Sequence, residues 1–219
     1  MCAYTLNNYY TMEPKFMISE VFATSWKCTK SQLWILAGLL IGYFILSFTL
    51  GAFAMPMQSS LGGKIIVNVI TILLSTIFTL GYMKNIFQAL DGEEPQFSAY
   101  GQQSKNILTY LIACIIMVFV VTLGCLLFII PGIYLAIRLQ FFQAFIIEEN
   151  AGIMESLRKS WEITKDQVLP LFILGLVMIG ISLLGLILFG IGIFVAAPLV
   201  YMMYCYVFRK LNTPLQILE

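Results

Sequence analysis

Residues 130–138 of the chain read I-P-G-I-Y-L-A-I-R, and this stretch joins two apolar runs. The upstream run, residues 107–130, is long enough to span a bilayer, for which a helix needs about 20 apolar residues. Pro131 has no backbone donor and Gly132 readily adopts turn conformations, so the pair is predicted to break the helix. The downstream run, residues 133–147, then leads back across the membrane. The stretch therefore predicts a transmembrane hairpin.

The composition of the whole chain is typical of a membrane protein. Hydrophobic residues make up 60% of the 219 residues, and charged residues only 11%. A soluble domain of this length could not bury so much apolar surface, so the bilayer must act as its solvent. The formal net charge of +1 argues against a nucleic-acid partner. The first 30 residues are polar and do not resemble a cleavable signal peptide.

The apolar runs predict an all-α polytopic membrane protein with six transmembrane helices in a single domain, residues 1–219. Short amphipathic helices, here called elbows, are predicted to lie in the membrane interface before the first, third and fifth spans. Trp26 and Trp161 are predicted to anchor two of them at the headgroup level. The predicted spans cover residues 33–55, 65–83, 107–130, 133–147, 168–189 and 193–207. The predicted elbows cover residues 14–30, 96–105 and 151–166.

Two of the elbows share a sequence pattern that indicates an internal repeat. Residues 25–32 read S-W-K-C-T-K-S-Q, and residues 160–167 read S-W-E-I-T-K-D-Q. A weaker echo, F-Q-A, occurs at residues 87–89 and 142–144. We interpret the chain as three units of elbow, span and span; the alternative is convergence on a common amphipathic composition. Repeats of this kind often place a binding site at the interface between units.

The sequence carries little recognisable catalytic chemistry. There is no histidine, the five cysteines include no CxxC pair, and no carboxylate lies inside a predicted span. A metal, a cofactor and an enzymatic activity are therefore not expected. Glu148 and Glu149, which end the fourth span together, are interpreted as a solvated cap at the membrane boundary.

Arg138 is the only formal charge inside a predicted span, which makes it the candidate functional residue. One interpretation is that its side chain extends to the headgroups on the outer side. The other is that it turns inward and donates to backbone carbonyls or to a polar stripe on the second span, formed by Asn68, Thr71 and Ser75. There it could also hold an anionic lipid headgroup. An inward position is favoured because charges in membranes usually face the bundle interior.

Three segments resemble a known bacterial membrane family. They are residues 130–138, F-I-I-E-E-N at residues 145–150, and E-S-L-R-K-S-W-E-I-T-K at residues 155–165. The family is the membrane domain fused to glycerophosphoryl diester phosphodiesterases, together with its stand-alone YciC-like relatives. The resemblance implies a multi-pass protein of the bacterial cytoplasmic (inner) membrane with a largely unknown role. It does not imply phosphodiesterase activity, because the sequence has no match to that catalytic domain.

The sequence therefore leaves two candidate functions. The first is a non-enzymatic envelope scaffold or regulator that binds a lipid or a membrane-protein partner through its elbows. The alternative is a transporter, a permease subunit or an exporter accessory for a lipid-like or apolar solute. Ion-coupled carriers usually need carboxylates within the membrane, so their absence from the spans disfavours coupled transport.

The distribution of charge predicts that both termini are cytoplasmic, because of the basic residues only Lys64 falls on the opposite side. Single cysteines at positions 60 and 215, in a background without the five native cysteines, can be probed with an impermeant thiol reagent in intact cells. We expect the cysteine at Ser60 to be labelled and the cysteine at Leu215 to be protected. Labelling in the opposite pattern would contradict this topology.

Overall fold

The computed structural model describes residues 15–187 and 192–216, and its regular structure is entirely helical. Six helical stretches in this part are long and apolar enough to cross a membrane. The prediction of an all-α, multi-pass membrane protein is therefore confirmed. Residue 14 of the first predicted elbow and residues 188–189 of the fifth predicted span lie outside the described residues. The helices are α1 (Ile18–Ala54), α2 (Leu61–Leu90), α3 (Ser98–Gln102), α4 (Ile107–Leu127), α5 (Ile129–Leu139), α6 (Phe142–Glu148), α7 (Ile153–Ile163), α8 (Val168–Ile187) and α9 (Ile193–Gln216).

The packed core lies at one end of the bundle, here called the core end. Its buried side chains come mainly from residues 80–89 of α2, 141–147 of α5–α6 and 199–211 of α9. Towards the other end the helices expose large apolar side chains, with Phe48 72% exposed and Leu126 81% exposed. Such side chains face lipid in a membrane. The helices are therefore held together mainly at the core end.

An aromatic cluster joins α2, α6 and α9 at the core end. The ring of Phe208 on α9 meets Phe145 of α6 edge-on, at a centroid distance of 4.9 Å. It meets Phe87 of α2 in the same way, at 5.8 Å. Edge-to-face pairs at these distances contribute about 0.5–1.5 kcal/mol beyond the burial of their area. Each of the three helices belongs to the second span of one predicted repeat unit.

Each elbow packs against the second span of another unit. Helix α7 lies along α6, and α3 lies along α2, where the Gln96 N–H donates to the Asn85 side chain at 3.2 Å. The first turns of α1 pack against α9, where the Tyr206 hydroxyl donates to the Glu20 carboxylate at 2.8 Å. The elbows thus link the three predicted units in a ring.

The first elbow is not a separate helix, contrary to the prediction for residues 14–30. Helix α1 runs without a break for 37 residues and includes both the elbow and the first span. In the third unit the chain breaks at Asp166, which has a φ of 61°. Pro170 prevents a continuous helix there, because it has no N–H to donate to the carbonyl four residues earlier. The aligned residue in α1 is Ile35, which presents no such obstacle.

The hairpin turn also differs from the prediction that Pro131 and Gly132 break the helix. The break lies at Phe128, whose extended backbone separates α4 from α5. Pro131 lies in the first turn of α5, where a missing donor is tolerated. Gly132 allows close packing, because a Cβ there would lie 2.7 Å from the backbone nitrogen of Cys125 on α4.

This packing predicts different effects for two glycine-to-alanine substitutions. Gly132→Ala should lower the free energy of unfolding by about 1–3 kcal/mol, because the added methyl group meets the backbone of α4. Gly180→Ala on α8 is the control, since a Cβ there meets nothing within 4 Å. It should be neutral or stabilising by up to about 1 kcal/mol. Melting temperatures in detergent measure both effects, and equal temperatures for the two variants would contradict the expectation.

Candidate functional site

The predicted fourth span, residues 133–147, is not one continuous helix. Helix α5 ends at Leu139 and α6 begins at Phe142, so the helical hydrogen bonds are interrupted between them. Ser160 of α7 bridges this break with its hydroxyl. The hydroxyl donates to the carbonyl of Arg138 at 2.9 Å and accepts from the N–H of Phe141 at 3.0 Å.

A further hydroxyl satisfies the same break, because Tyr204 of α9 donates to the Gln140 carbonyl at 2.7 Å. The Thr164 hydroxyl lies 3.2 Å from the Arg138 carbonyl, but its single proton has a closer acceptor in the Ser160 carbonyl, at 2.8 Å. An unsatisfied backbone group in lipid costs several kcal/mol, so a broken span requires such donors. Ser160 and Thr164 belong to the pattern shared by the two elbows. The pattern shared by the two elbows is visible in the sequence, but it does not indicate the helix break beside the third elbow.

The side chain of Arg138 is buried against α7, with 4% of the residue exposed. Its guanidinium carbon lies 4.1 Å from the ring centroid of Trp161 and 5.8 Å from that of Tyr134. Among the described residues its Nε has no hydrogen-bond partner, and no carboxylate forms an ion pair with it. Cation–π contact contributes about 2 kcal/mol when desolvated, whereas burying an unpaired ion costs several kcal/mol. The guanidinium therefore retains donors for an anionic partner.

The structure turns the side chain of Arg138 into the protein but away from the predicted polar stripe. Trp161 and Tyr134 pack against the side chain and leave only 4% of the residue exposed. It makes no hydrogen bond to the polar stripe in the part of the chain that the structure describes. The cover provided by α7 explains why the side chain does not extend to the stripe on α2.

The polar stripe of α2 lies in a different place. The hydroxyls of Thr71 and Ser75 donate to carbonyls of their own helix, at 2.9 Å each. Asn68 and Thr71 line a separate groove of about 350 Å³ between α1 and α2. The structure therefore does not bring these side chains together with Arg138.

A groove of about 930 Å³ opens beside Arg138, between α5, α7 and α8. Its walls are mostly apolar, and its charged groups come from α5, from α7 and from the segment between α7 and α8. Trp161 is 38% exposed at its edge, whereas Trp26, the other predicted anchor, is 41% exposed on α1. The groove is lined by Ile130, Ile133, Tyr134, Ile137, Arg138, Trp161, Glu162, Lys165, Asp166, Val168, Leu169 and Phe172.

Glu148 and Glu149 do not form the solvated cap that was expected. The Glu148 side chain is only 13% exposed and pairs with Lys84 of α2 at 3.0 Å and with Arg209 of α9. Glu149 pairs with Lys159 of α7 at 2.8 Å. The end of α6 is therefore tied by charge to three other helices.

Ion pairs of this network shift the pKa values of charged residues on α7. The hydrogen bond from Lys159 to Glu149 raises the pKa of the lysine above its ordinary value. The hydrogen bond from Lys159 to Glu155 lowers the pKa of that carboxyl. Both groups are thus charged at neutral pH. The pair of Lys159 with Glu149 holds α7 along the end of α6, which places Ser160 and Trp161 at the break.

This site predicts that Trp161 contributes more to stability than its neighbour Arg158. Trp161→Ala removes a packed ring that contacts Arg138 and Tyr134. Arg158→Ala removes an exposed pair with Glu162, at 3.6 Å, which contributes about 0–1 kcal/mol. We expect a clearly lower melting temperature in detergent for Trp161→Ala and little change for Arg158→Ala. Equal losses or the reverse order would refute this ranking.

Comparison with known proteins identifies one family. The model of DUF7847, a domain of unknown function, matches residues 97–218, which contain α3 to α9. No curated protein and no solved structure matches the chain. Because the matched residues are more than half of the 219, the chain belongs to the DUF7847 family.

Proposed function

We propose that this protein is a non-enzymatic scaffold or regulator of the bacterial cytoplasmic membrane that binds a membrane amphiphile in the groove between α5, α7 and α8. Both termini face the cytoplasm in this proposal, as the clustered basic residues predict. The observation that carries it is the groove itself. Its walls are mostly apolar, and its charged groups come from the end of α5, from α7 and from the segment between α7 and α8.

The shape of the groove favours a lipid-like occupant. Ile130, Ile133 and Ile137 recur at helical spacing along α5 and form one wall. Leu169 and Phe172 of α8 form the facing wall, and Leu169 is 68% exposed. Apolar side chains on membrane-crossing helices meet acyl chains. A ligand in this groove therefore needs an apolar part, which a bilayer lipid supplies.

A role as scaffold or regulator agrees with how the charged groups are used. The carboxylates of α6 pair with basic residues of α2, α7 and α9, so they join helices. The described part of the chain contains no cluster of three metal-ligating side chains. The resemblance of residues 130–165 to inner-membrane domains supports the proposed location.

Passage of a lipid-like solute is the second candidate function. It is favoured by a second apolar groove, of about 520 Å³, between α8 and α9. This groove reaches Gln140 and Phe141, so both grooves border the same helix break. Purified protein in liposomes would separate the two candidates. A scaffold leaves the transbilayer movement of a fluorescent lipid at the protein-free rate, whereas a transporter accelerates it.

Filling the groove should displace a bound lipid. Ile133→Trp adds a large ring to the groove wall, where Ile133 is 42% exposed. Ile115→Trp is the matched control, because Ile115 is 68% exposed on α4 and lines none of the grooves described above. We expect native mass spectrometry to find less co-purified phospholipid on Ile133→Trp than on the wild type. Equal retention by both variants and the wild type would contradict lipid binding in the groove.

A further inference from the structure

We infer that the groove selects an anionic phospholipid, with the guanidinium of Arg138, the ammonium of Lys165 and the first turn of α8 forming the headgroup site. This inference rests on the proposed function, because it names the lipid class that the groove takes. The three positive groups come from α5, from the segment after α7 and from α8. All three line the groove.

Arg138 provides the strongest reason for an anionic ligand. Arg138 is 4% exposed, and its side chain lines the groove. Its Nε donates to no acceptor among the described residues. An arginine has five N–H donors in a planar fork that matches two oxygens of a phosphate. A buried guanidinium without an acceptor is unfavourable, and a lipid phosphate would supply the missing oxygens.

The start of α8 provides a second, independent feature. Val168 and Leu169 form the first turn of this 20-residue helix and line the groove. The first N–H groups of a helix have no partner within it and carry the positive end of its dipole. Such helix ends bind phosphate groups. Pro170 follows directly and has no N–H, so the available donors are those of Val168 and Leu169.

The other charges at the groove agree with this assignment. Lys165 is exposed at the rim, where its flexible ammonium can meet a headgroup. Glu162 also lines the groove and pairs with Arg158 at 3.6 Å. Asp166 is exposed and occupies the left-handed turn before α8. Neither carboxylate pairs with Arg138, so both leave its donors available.

Fluorescence of Trp161 can measure the preference between lipids. Trp26→Phe and Trp34→Phe leave Trp161 as the single tryptophan, and its ring contacts the Arg138 guanidinium. The protein in neutral detergent is titrated with short-chain phosphatidylglycerol and with phosphatidylcholine of the same chains. We expect phosphatidylglycerol to bind about tenfold more tightly. Arg138→Gln should bind both lipids alike, while Arg158→Gln should keep the wild-type preference.

Each result decides a separate question. Equal binding of both lipids by the wild type would overturn the anionic site but leave the proposed function standing. Binding of neither lipid would refute the proposed function as well. Equally effective competition by inorganic phosphate or by a fatty acid would overturn the assignment to a phospholipid. If Arg138→Gln fails to fold, the exposed substitution Lys165→Gln tests the site instead. It should lower the preference for phosphatidylglycerol over phosphatidylcholine about threefold. An unchanged preference would refute the site.

Discussion

A carbonyl group that has lost its partner within a membrane helix must receive a hydrogen bond from elsewhere, because lipid offers none. The organisation of this protein around Gln140 follows from that constraint. The carbonyls of Arg138 and Gln140 accept from the hydroxyls of Ser160 on α7 and Tyr204 on α9. The third elbow is thus held in place by the backbone of the span before it. The groove exists because this elbow folds back beside the break.

The charged network and the aromatic cluster make the arrangement rigid. Glu148 joins α6 to α2 and α9, and Glu149 joins α6 to α7. Phe208 lies between the rings of α2 and α6.

In the first elbow, the residues aligned with Ser160 and Thr164 are Ser25 and Thr29. Among residues 15–187 and 192–216 their buried hydroxyls have no hydrogen-bond partner. The described structure therefore gives these hydroxyls a hydrogen-bonding role at α7 that it does not show at α1.

The apolar runs were sufficient to predict six membrane-crossing helices, because lipid requires long hydrophobic segments of this kind. The break at Gln140 was not predictable, because residues 139–142 read L-Q-F-F and include no proline or glycine. Pro131 was misinterpreted because a proline in the first turn of a helix causes no break. Arg138 could be selected as a candidate from its charge within a span. Its contact with Trp161 could not be predicted, since it depends on how α7 folds back.

The unequal packing along the bundle has a consequence for the membrane itself. Helix α1 is 37 residues long, about 55 Å at 1.5 Å per residue, whereas the hydrocarbon layer is about 30 Å thick. Away from the core end, α1, α4 and α8 expose large apolar side chains, although α4 remains packed against α5 at Gly132. Lipids of the leaflet away from the core end fill the spaces between the exposed helices. The lateral area of the protein in that leaflet therefore varies with the lateral pressure and the order of the lipid chains. The leaflet at the core end meets a bundle of constant cross-section.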